Sequence, residues 1–160
     1  MRMLDELLQG VEVRSLVGDG TVAVGRLEFD SRKVVPGTLF FATRGTQTDG
    51  HAYIPAAVAA GAAAVVCEEL PAERPAGVTF VQVPDSTVAL GQVASAFYGH
   101  PSRRLKLVGV TGTNGKTTTA TLLYRMFRRL GYKAGLISTV VYCVDDREIP
   151  STHTTPDSIR

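Results

Sequence analysis

At 160 residues the chain has room for one ordinary domain, or for one domain and part of another. Hydrophobic residues make up 44% and charged residues 20%, which supplies a packed core and excludes a disordered chain. A formal net charge of +2 argues against a nucleic-acid or membrane-surface partner.

Leu4, Leu7 and Leu8 predict a short opening helix that ends at Gly10. Residues 11–24 alternate loosely and read as strands around the Gly18-Asp19-Gly20 turn. After Phe29 come Asp30-Ser31-Arg32, whose side chains suit a turn, and then Pro36-Gly37, the pairing of a type II turn. Residues 39–42 form a short buried strand, followed by the polar loop 43–51 and a helix over 53–60 that Gly61 stops. Strands over 63–67 and 78–83 follow, the second after a loop punctuated by Pro71, Pro75 and Gly77. Ser86 is the expected N-cap of a helix running to Tyr98. Gly99-His100-Pro101-Ser102 breaks the pattern, and a domain boundary is expected there, giving domains 1–101 and 102–160. The basic run 103–106 reads as a solvated strand approach.

The second domain begins with the richest stretch. Leu105, Leu107, Val108 and Val110 predict a strand that feeds Gly112-Thr113-Asn114-Gly115-Lys116-Thr117-Thr118 and then a helix with Leu122, Leu123, Met126, Phe127 and Leu130 on one side. Strand, glycine-rich loop, helix is the layout of a phosphate-binding loop (P-loop). Backbone N–H groups and a helix N-terminus face an anion, Lys116 adds a positive charge, and Thr117 offers its hydroxyl to Mg²⁺. The strict motif has glycine where this chain has Val110, so the loop is a variant. Arginines near the helix C-terminus suit the macrodipole, and Gly131 suits the C′ position. A strand over 133–139 follows, then the apolar run 140–144 ending in Asp145. That run admits two readings: a hairpin turning at Asp145-Asp146-Arg147, which is preferred, or a strand delivering a Mg²⁺-binding acid beside the loop.

Cys67 and Cys143 each sit in an apolar run and read as buried thiols of a reducing compartment. The N-terminus lacks a targeting signature and no segment approaches a membrane span, so a cytoplasmic protein is expected. The three histidines share no metal-ligand spacing, and no Cys-His or Ser-His pairing suggests a covalent nucleophile.

Three separated stretches carry a resemblance. They are residues 30–40, Asp-Ser-Arg-x-Val-x-Pro-Gly-x-Leu-Phe, with Gly45 and Asp49-Gly50-His51 beyond; Gly112 to Thr118; and Thr154-Thr155-Pro156-Asp157-Ser158. Together they resemble the Mur ligases of bacterial cell-wall synthesis, over nearly the whole chain but only over the N-terminal portion of a family member. The resemblance implies an α/β fold: an N-terminal mixed-sheet domain that binds UDP, followed by the start of a P-loop ATP-binding domain. It implies an ATP-dependent ligase of peptidoglycan precursor synthesis, of the branch adding the third amino acid, diaminopimelate or lysine, to UDP-N-acetylmuramoyl-L-alanyl-D-glutamate. An acyl phosphate would be the intermediate, with ATP and Mg²⁺ as cofactors and a free amino acid as the second partner.

Carried over residue by residue, Phe29, Ser31, Thr46, Gln47 and Thr48 would meet the uridine end. His153, Thr154 and Thr155 would meet the muramoyl-dipeptide end, although relatives often have Asn at the position of His153. Gly112, Thr113, Asn114, Gly115, Lys116, Thr117 and Thr118 would hold ATP, with Lys116 the catalytic charge and Thr117 a Mg²⁺ ligand. A second unit under about sixty residues rarely closes a core. The chain therefore reads as part of something longer, and residues 1–160 alone are expected not to ligate. Three other readings stand beside this one: a P-loop small-molecule kinase, the sibling ligase that adds D-alanyl-D-alanine, and a non-enzymatic UDP-sugar-binding module.

Overall fold

The computed structural model describes residues 1–45, 48–150 and 159. The chain divides into two compact units, the first covering Met1–Arg104 and the second beginning at Leu105.

The first unit opens with β1 (Arg2–Met3) and α1 (Leu4–Leu7), then β2 (Ser15–Val17), β3 (Ala23–Val24), β4 (Arg26–Glu28) and β5 (Thr38–Phe41). It continues through α2 (Ile54–Ala59), β6 (Ala62–Cys67), β7 (Thr79–Gln82) and α3 (Ser86–Phe97). Five strands form one sheet in the order β2-β7-β6-β5-β4. Strands β4 to β7 are parallel neighbours, and β2 closes one edge antiparallel to β7. Strands β2 and β3 do not form the hairpin that their sequence suggests. β3 pairs with β1 and β2 with β7, because the segment around Gly18 is bound to the β7 end instead: Thr79 Oγ1 donates to the Asp19 carbonyl at 2.8 Å.

Alternation along the strands fills two separate cores. Leu39, Phe41, Ala64, Val66, Val81 and Val83 face α1 and α3, where Leu4, Leu7, Ala89, Leu90, Val93 and Ala94 meet them. Phe40, Ala42, Val65, Cys67 and Phe80 face the other way, onto Ile54 and Ala57 of α2 and onto Val34. With both faces covered, the strands read as continuous apolar runs, and each fully buried Phe or Leu adds about 1.5–3 kcal/mol. The turn before β5 is closed by Thr38 N–H to the Val35 carbonyl at 3.1 Å. The N-cap of α3 is Asp85 and not Ser86: the Asp85 carboxylate accepts from the N–H groups of Thr87 and Val88 at 2.8 and 2.9 Å. Ser86 is the first helical residue and is fully buried, its hydroxyl given to Glu68.

The second unit holds α4 (Lys116–Arg129) and an antiparallel meander of β8 (Gly135–Ile137), β9 (Val141–Val144) and β10 (Arg147–Pro150). The expected strand over 105–110 is not one. Among the described residues no strand pairs with it, and Leu107 and Val108 are 77% and 71% exposed. An apolar pattern sets which side chains seek cover, but a strand exists only when a neighbour takes its N–H and C=O groups. Helix α4 ends in a Schellman motif. Gly131 N–H bonds the Arg128 carbonyl and Tyr132 N–H the Phe127 carbonyl, both at 3.0 Å, and the rings of Tyr132 and Phe127 pack edge to face. No helix among the described residues is long and apolar enough to cross a membrane.

Candidate functional site

In the second unit the glycine-rich loop does form the start of a helix. Gly115 is the N-cap of α4, in the left-handed region at φ 77°, and no side chain caps the helix there. Its first-turn N–H groups therefore remain for another acceptor, with the positive end of the helix dipole behind them. Gly112 also has positive φ, at 146°. The first turn carries no acidic residue that would compete with an anion. Lys116 folds back so that Nζ donates to the carbonyls of Gly112 and Thr113, the second at 3.3 Å. The lysine thus caps the loop that a phosphate would enter, and its ammonium has three donors to redistribute when an anion arrives. Thr117 lies half-buried on the first turn, and Thr113, Asn114 and Thr118 are exposed along the loop.

The reading that gives the loop a Mg²⁺-binding acid at Asp145 fails on topology. Strand β9 lies between β8 and β10, and Asp145-Asp146 is the two-residue turn of the β9–β10 hairpin, whose register pairs Val144 with Arg147. Asp145 takes positive φ there, at 50°. Its carboxylate pairs with Arg128 at 3.3 Å, Asp146 pairs with the same guanidinium at 2.6 Å, and the Tyr124 hydroxyl donates to the Asp145 carbonyl. Both acids are spent on fastening the hairpin to α4. Among the described residues no group of three His, Cys, Asp or Glu side chains is set to hold a metal.

In the first unit, Phe29, Ser31 and Thr48 of the predicted uridine-side residues lie beyond the C-terminal ends of the parallel strands, where open α/β sheets place their ligands. Phe29 and Ser31 follow β4, and Thr48 lies in the loop after β5; Thr46 and Gln47 of that loop fall outside the described residues, as do His153, Thr154 and Thr155. Phe29 packs in part against the core that α1 and α3 cover. Asp30 caps the short 3-10 helix Ser31–Lys33 through Arg32 N–H at 3.1 Å, and grips the Arg32 guanidinium with both oxygens at 2.8 Å. That grip lowers the Asp30 pKa to about 2. Asp30 and Arg32 are therefore a structural clasp. Ser31, half-exposed at its start, is left as the group on offer.

The same edge holds a polar network that reading the sequence did not assemble. Glu68, just past β6, accepts the Ser86 N–H and hydroxyl at 3.1 and 2.9 Å with one oxygen, and meets Arg44 at 3.1 Å with the other. Arg44 also pairs with Glu69. His51 places Nδ1 2.6 Å from Asp49 Oδ1, while Nε2 accepts the Glu68 and Glu69 N–H groups at 2.9 and 3.3 Å. The Asp49 carboxyl is held below its usual range, first by the His51 backbone N–H and then by the His51 side chain. The sequence signal was Asp49-Gly50-His51; its partners are contributed by residues far along the chain. Gly50 is required by close approach, since a Cβ there would sit 2.6 Å from the Thr43 carbonyl oxygen. Elsewhere in this unit, a concavity of about 350 Å³ is bordered by Arg2, Glu6, Gln9 and His100 and includes none of the predicted residues.

Comparison with known proteins now bears on this arrangement. Residues 24–98 match the family described as Mur ligase family, catalytic domain, and residues 110–160 match the Mur ligase middle domain. A UDP-N-acetylmuramoyl-L-alanyl-D-glutamate–2,6-diaminopimelate ligase of Bacteroides thetaiotaomicron is 55% identical over 157 residues, which is 98% of this chain and 33% of the relative. The ligase of the same name from Bacteroides fragilis is 58% identical over 156 residues, 98% of this chain and 32% of that protein. The chain thus spans about a third of the length of these curated relatives. Among solved structures, MurF of Acinetobacter baumannii aligns with a TM-score of 0.61 at 28% identity, over 80% of this chain and 27% of that one. A structure titled as the 2,6-diaminopimelate ligase aligns with a TM-score of 0.70 over 99% of this chain and 31% of that one; at 24% identity it speaks for the fold alone.

Proposed function

The chain belongs to the Mur ligase family, and from that membership we propose that it is the UDP-substrate-binding and nucleotide-loop portion of a ligase adding diaminopimelate to UDP-N-acetylmuramoyl-L-alanyl-D-glutamate. The identities of 55% and 58% to ligases of that name favour this branch over the D-alanyl-D-alanine-adding sibling. The acid that a kinase reading would use, Asp145, is committed to Arg128.

The observation that carries the nucleotide half is the uncapped start of α4 with Lys116 folded over the loop. In the reaction, the substrate carboxylate attacks the terminal phosphorus of ATP, ADP leaves, and the incoming amine displaces phosphate from the acyl phosphate. The loop's share is electrostatic. N–H groups of the first turn of α4 take phosphoryl oxygens, and Lys116 moves from the Gly112 and Thr113 carbonyls to the phosphates. A Mg²⁺ bound with the nucleotide would add charge neutralisation; Thr117, an oxygen donor on the same turn, fits it, with phosphate and water completing the shell. In the first unit Ser31 and Thr48, with Thr46 and Gln47, would read uracil and ribose edges through hydroxyl and amide groups, which needs no net charge. His153, Thr154 and Thr155 would face the dipeptide end.

Calorimetric titration tests both halves. The UDP-muramoyl dipeptide should bind the folded chain, and a non-hydrolysable ATP analogue should bind with an affinity that Lys116→Ala lowers about 10- to 100-fold, the loss expected for a charge-assisted contact. Unchanged affinity in that variant would remove Lys116 from the site.

A further inference from the structure

Resting on the reading of the first unit as the holder of the UDP substrate, we propose that His51 is a positioning residue for it. Its neutral imidazole latches the loop that carries Thr48 to the exit of β6.

The geometry assigns the proton. Two backbone N–H groups, those of Glu68 and Glu69, converge on Nε2 at 2.9 and 3.3 Å, so that nitrogen must present a lone pair. The ring proton is then on Nδ1 and is donated to Asp49 Oδ1 at 2.6 Å. The ring is fastened although its partner is not buried: the His51 side chain is 15% exposed and that of Asp49 53%. The loop's described ends are tied to the same place. Gly45 N–H bonds the Thr48 carbonyl at 3.0 Å, Gly50 N–H bonds the Thr43 carbonyl at 2.9 Å, and Arg44 reaches Glu68 and Glu69. His51 therefore joins the strand-exit N–H groups of β6 to the turn that follows Thr48.

Protonation breaks this arrangement. A proton on Nε2 would point at two N–H donors, so the ring could keep Asp49 only by giving up Glu68 and Glu69. Several charged and titratable groups face the ring. They are Asp49 on its own turn, the carboxylates of Glu68 and Glu69 at the exit of β6, and Arg44, which pairs with all three. Tyr53, at the end of the 3-10 helix Gly50–Tyr53 that carries His51, lies within electrostatic reach of Arg32, beside Lys33 on the 3-10 helix Ser31–Lys33. None of them supplies a second acceptor for the two N–H groups. The latch requires the neutral ring and is lost when Nε2 takes a proton.

The test is calorimetric titration of the chain with the UDP-muramoyl dipeptide at about pH 8 and about pH 5.5, values that bracket imidazole titration. This ligand is chosen over UDP, whose terminal phosphate titrates near pH 6, because its diphosphate is esterified at both ends. Native affinity should fall at least about tenfold on acidification, as expected for losing two hydrogen bonds. His51→Gln, whose amide oxygen reaches the place of Nε2 and does not titrate, should bind equally at both pH values. His51→Asn, which reaches only as far as Nδ1, should bind weakly at both. Equal native affinity at the two pH values, or a pH dependence shared by His51→Gln, overturns the latch. A ¹⁵N spectrum of the ligand-free chain gives a second decision. Nε2 should be the unprotonated nitrogen at pH 8, with the Glu68 and Glu69 amide signals moving as it gains its proton; an Nε2–H tautomer at pH 8 overturns the proposal. A folded chain that shows the expected Nε2 signal yet binds at neither pH refutes the substrate reading, which is a different failure.

Discussion

Helices α3 and α4 are built alike and treated differently. Each has an apolar face at helical spacing, and each ends in a Schellman motif, with Gly99 and His100 closing onto Ala96 and Ser95 in α3 as Gly131 and Tyr132 close onto Arg128 and Phe127 in α4. Helix α3 buries Ala89, Leu90, Val93 and Ala94 on a sheet covered on both faces. Helix α4 buries no residue among those described, and Leu122, Met126, Phe127 and Leu130 stay 39–64% exposed. Polar contacts also tie α4 to the hairpin: the Arg128 fork on Asp145 and Asp146, and the Tyr124 hydroxyl on the hairpin carbonyl. Periodicity and end-capping make a helix, whereas burial makes a core, and among the described residues the second unit buries only Leu136 and Cys143 of its strands.

The sharpest way to break that contrast is to truncate one apolar side chain in each unit. Phe41→Ala removes a fully buried ring between α1, α3 and the sheet and should cost about 3–5 kcal/mol. Leu122→Ala removes an exposed side chain from a helix that alanine favours and should change stability by less than about 0.5 kcal/mol. Urea unfolding followed by circular dichroism compares the two. Similar losses would mean that the face of α4 is covered in solution.

Glycine substitutions give a finer division. Gly50→Ala drives a methyl group onto the Thr43 backbone, at 2.6 and 2.8 Å from O and N, and should cost about 1–3 kcal/mol as backbone shifts to admit it. Gly115→Ala meets nothing within 4 Å and pays only for its positive φ, about 1–2 kcal/mol. The first should also weaken binding of the UDP substrate by disturbing the His51 latch, and the second binding of nucleotide phosphate. Thermal melting with each ligand in turn separates them. If both variants lose the same ligand, the assignment of the two units is wrong.

How legible was this in the sequence? Patterns that need only a neighbour along the chain were readable: the runs that became β5, β6 and β7, the glycine loop before α4, Gly131 as its terminator, and the hairpin at Asp145-Asp146. What needed a partner from elsewhere was not. Residues 105–110 have strand chemistry and no strand beside them among the described residues, and β2 left its expected hairpin for β7. The network of Arg44, His51, Glu68 and Ser86 joins the loop after β5, the exit of β6 and the start of α3, whose spacing carries no motif, although Asp49-Gly50-His51 marked one corner of it. Asp85 displaced Ser86 as the cap because Glu68 claims the serine hydroxyl, a contact that 18 residues of separation hide.

The smallest effect tests whether the clasp beside Ser31 is electrostatic. Asp30 lies below its ordinary range chiefly because it accepts the Arg32 side chain, and its pKa falls to about 2. A carboxyl depressed on folding contributes stability that is complete above the unfolded value near 4 and is lost as pH falls toward 2. Arg32 is 86% exposed, so solvent screens the pair and about 1 kcal/mol is the expected contribution. Asp30→Asn keeps an oxygen for the Arg32 N–H and loses the charge together with the oxygen that accepts Arg32 Nη2. Native and variant chains should therefore differ by about 1 kcal/mol at about pH 5 and converge at about pH 2. Arg128 gives the second unit its own exposed acid pairs, so Arg128→Gln in the same acid titration shows which unit's clasp opens first. A gap between native and Asp30→Asn that persists to the lowest pH would mean that the clasp holds Ser31 by shape alone, with the charge of Asp30 incidental to it.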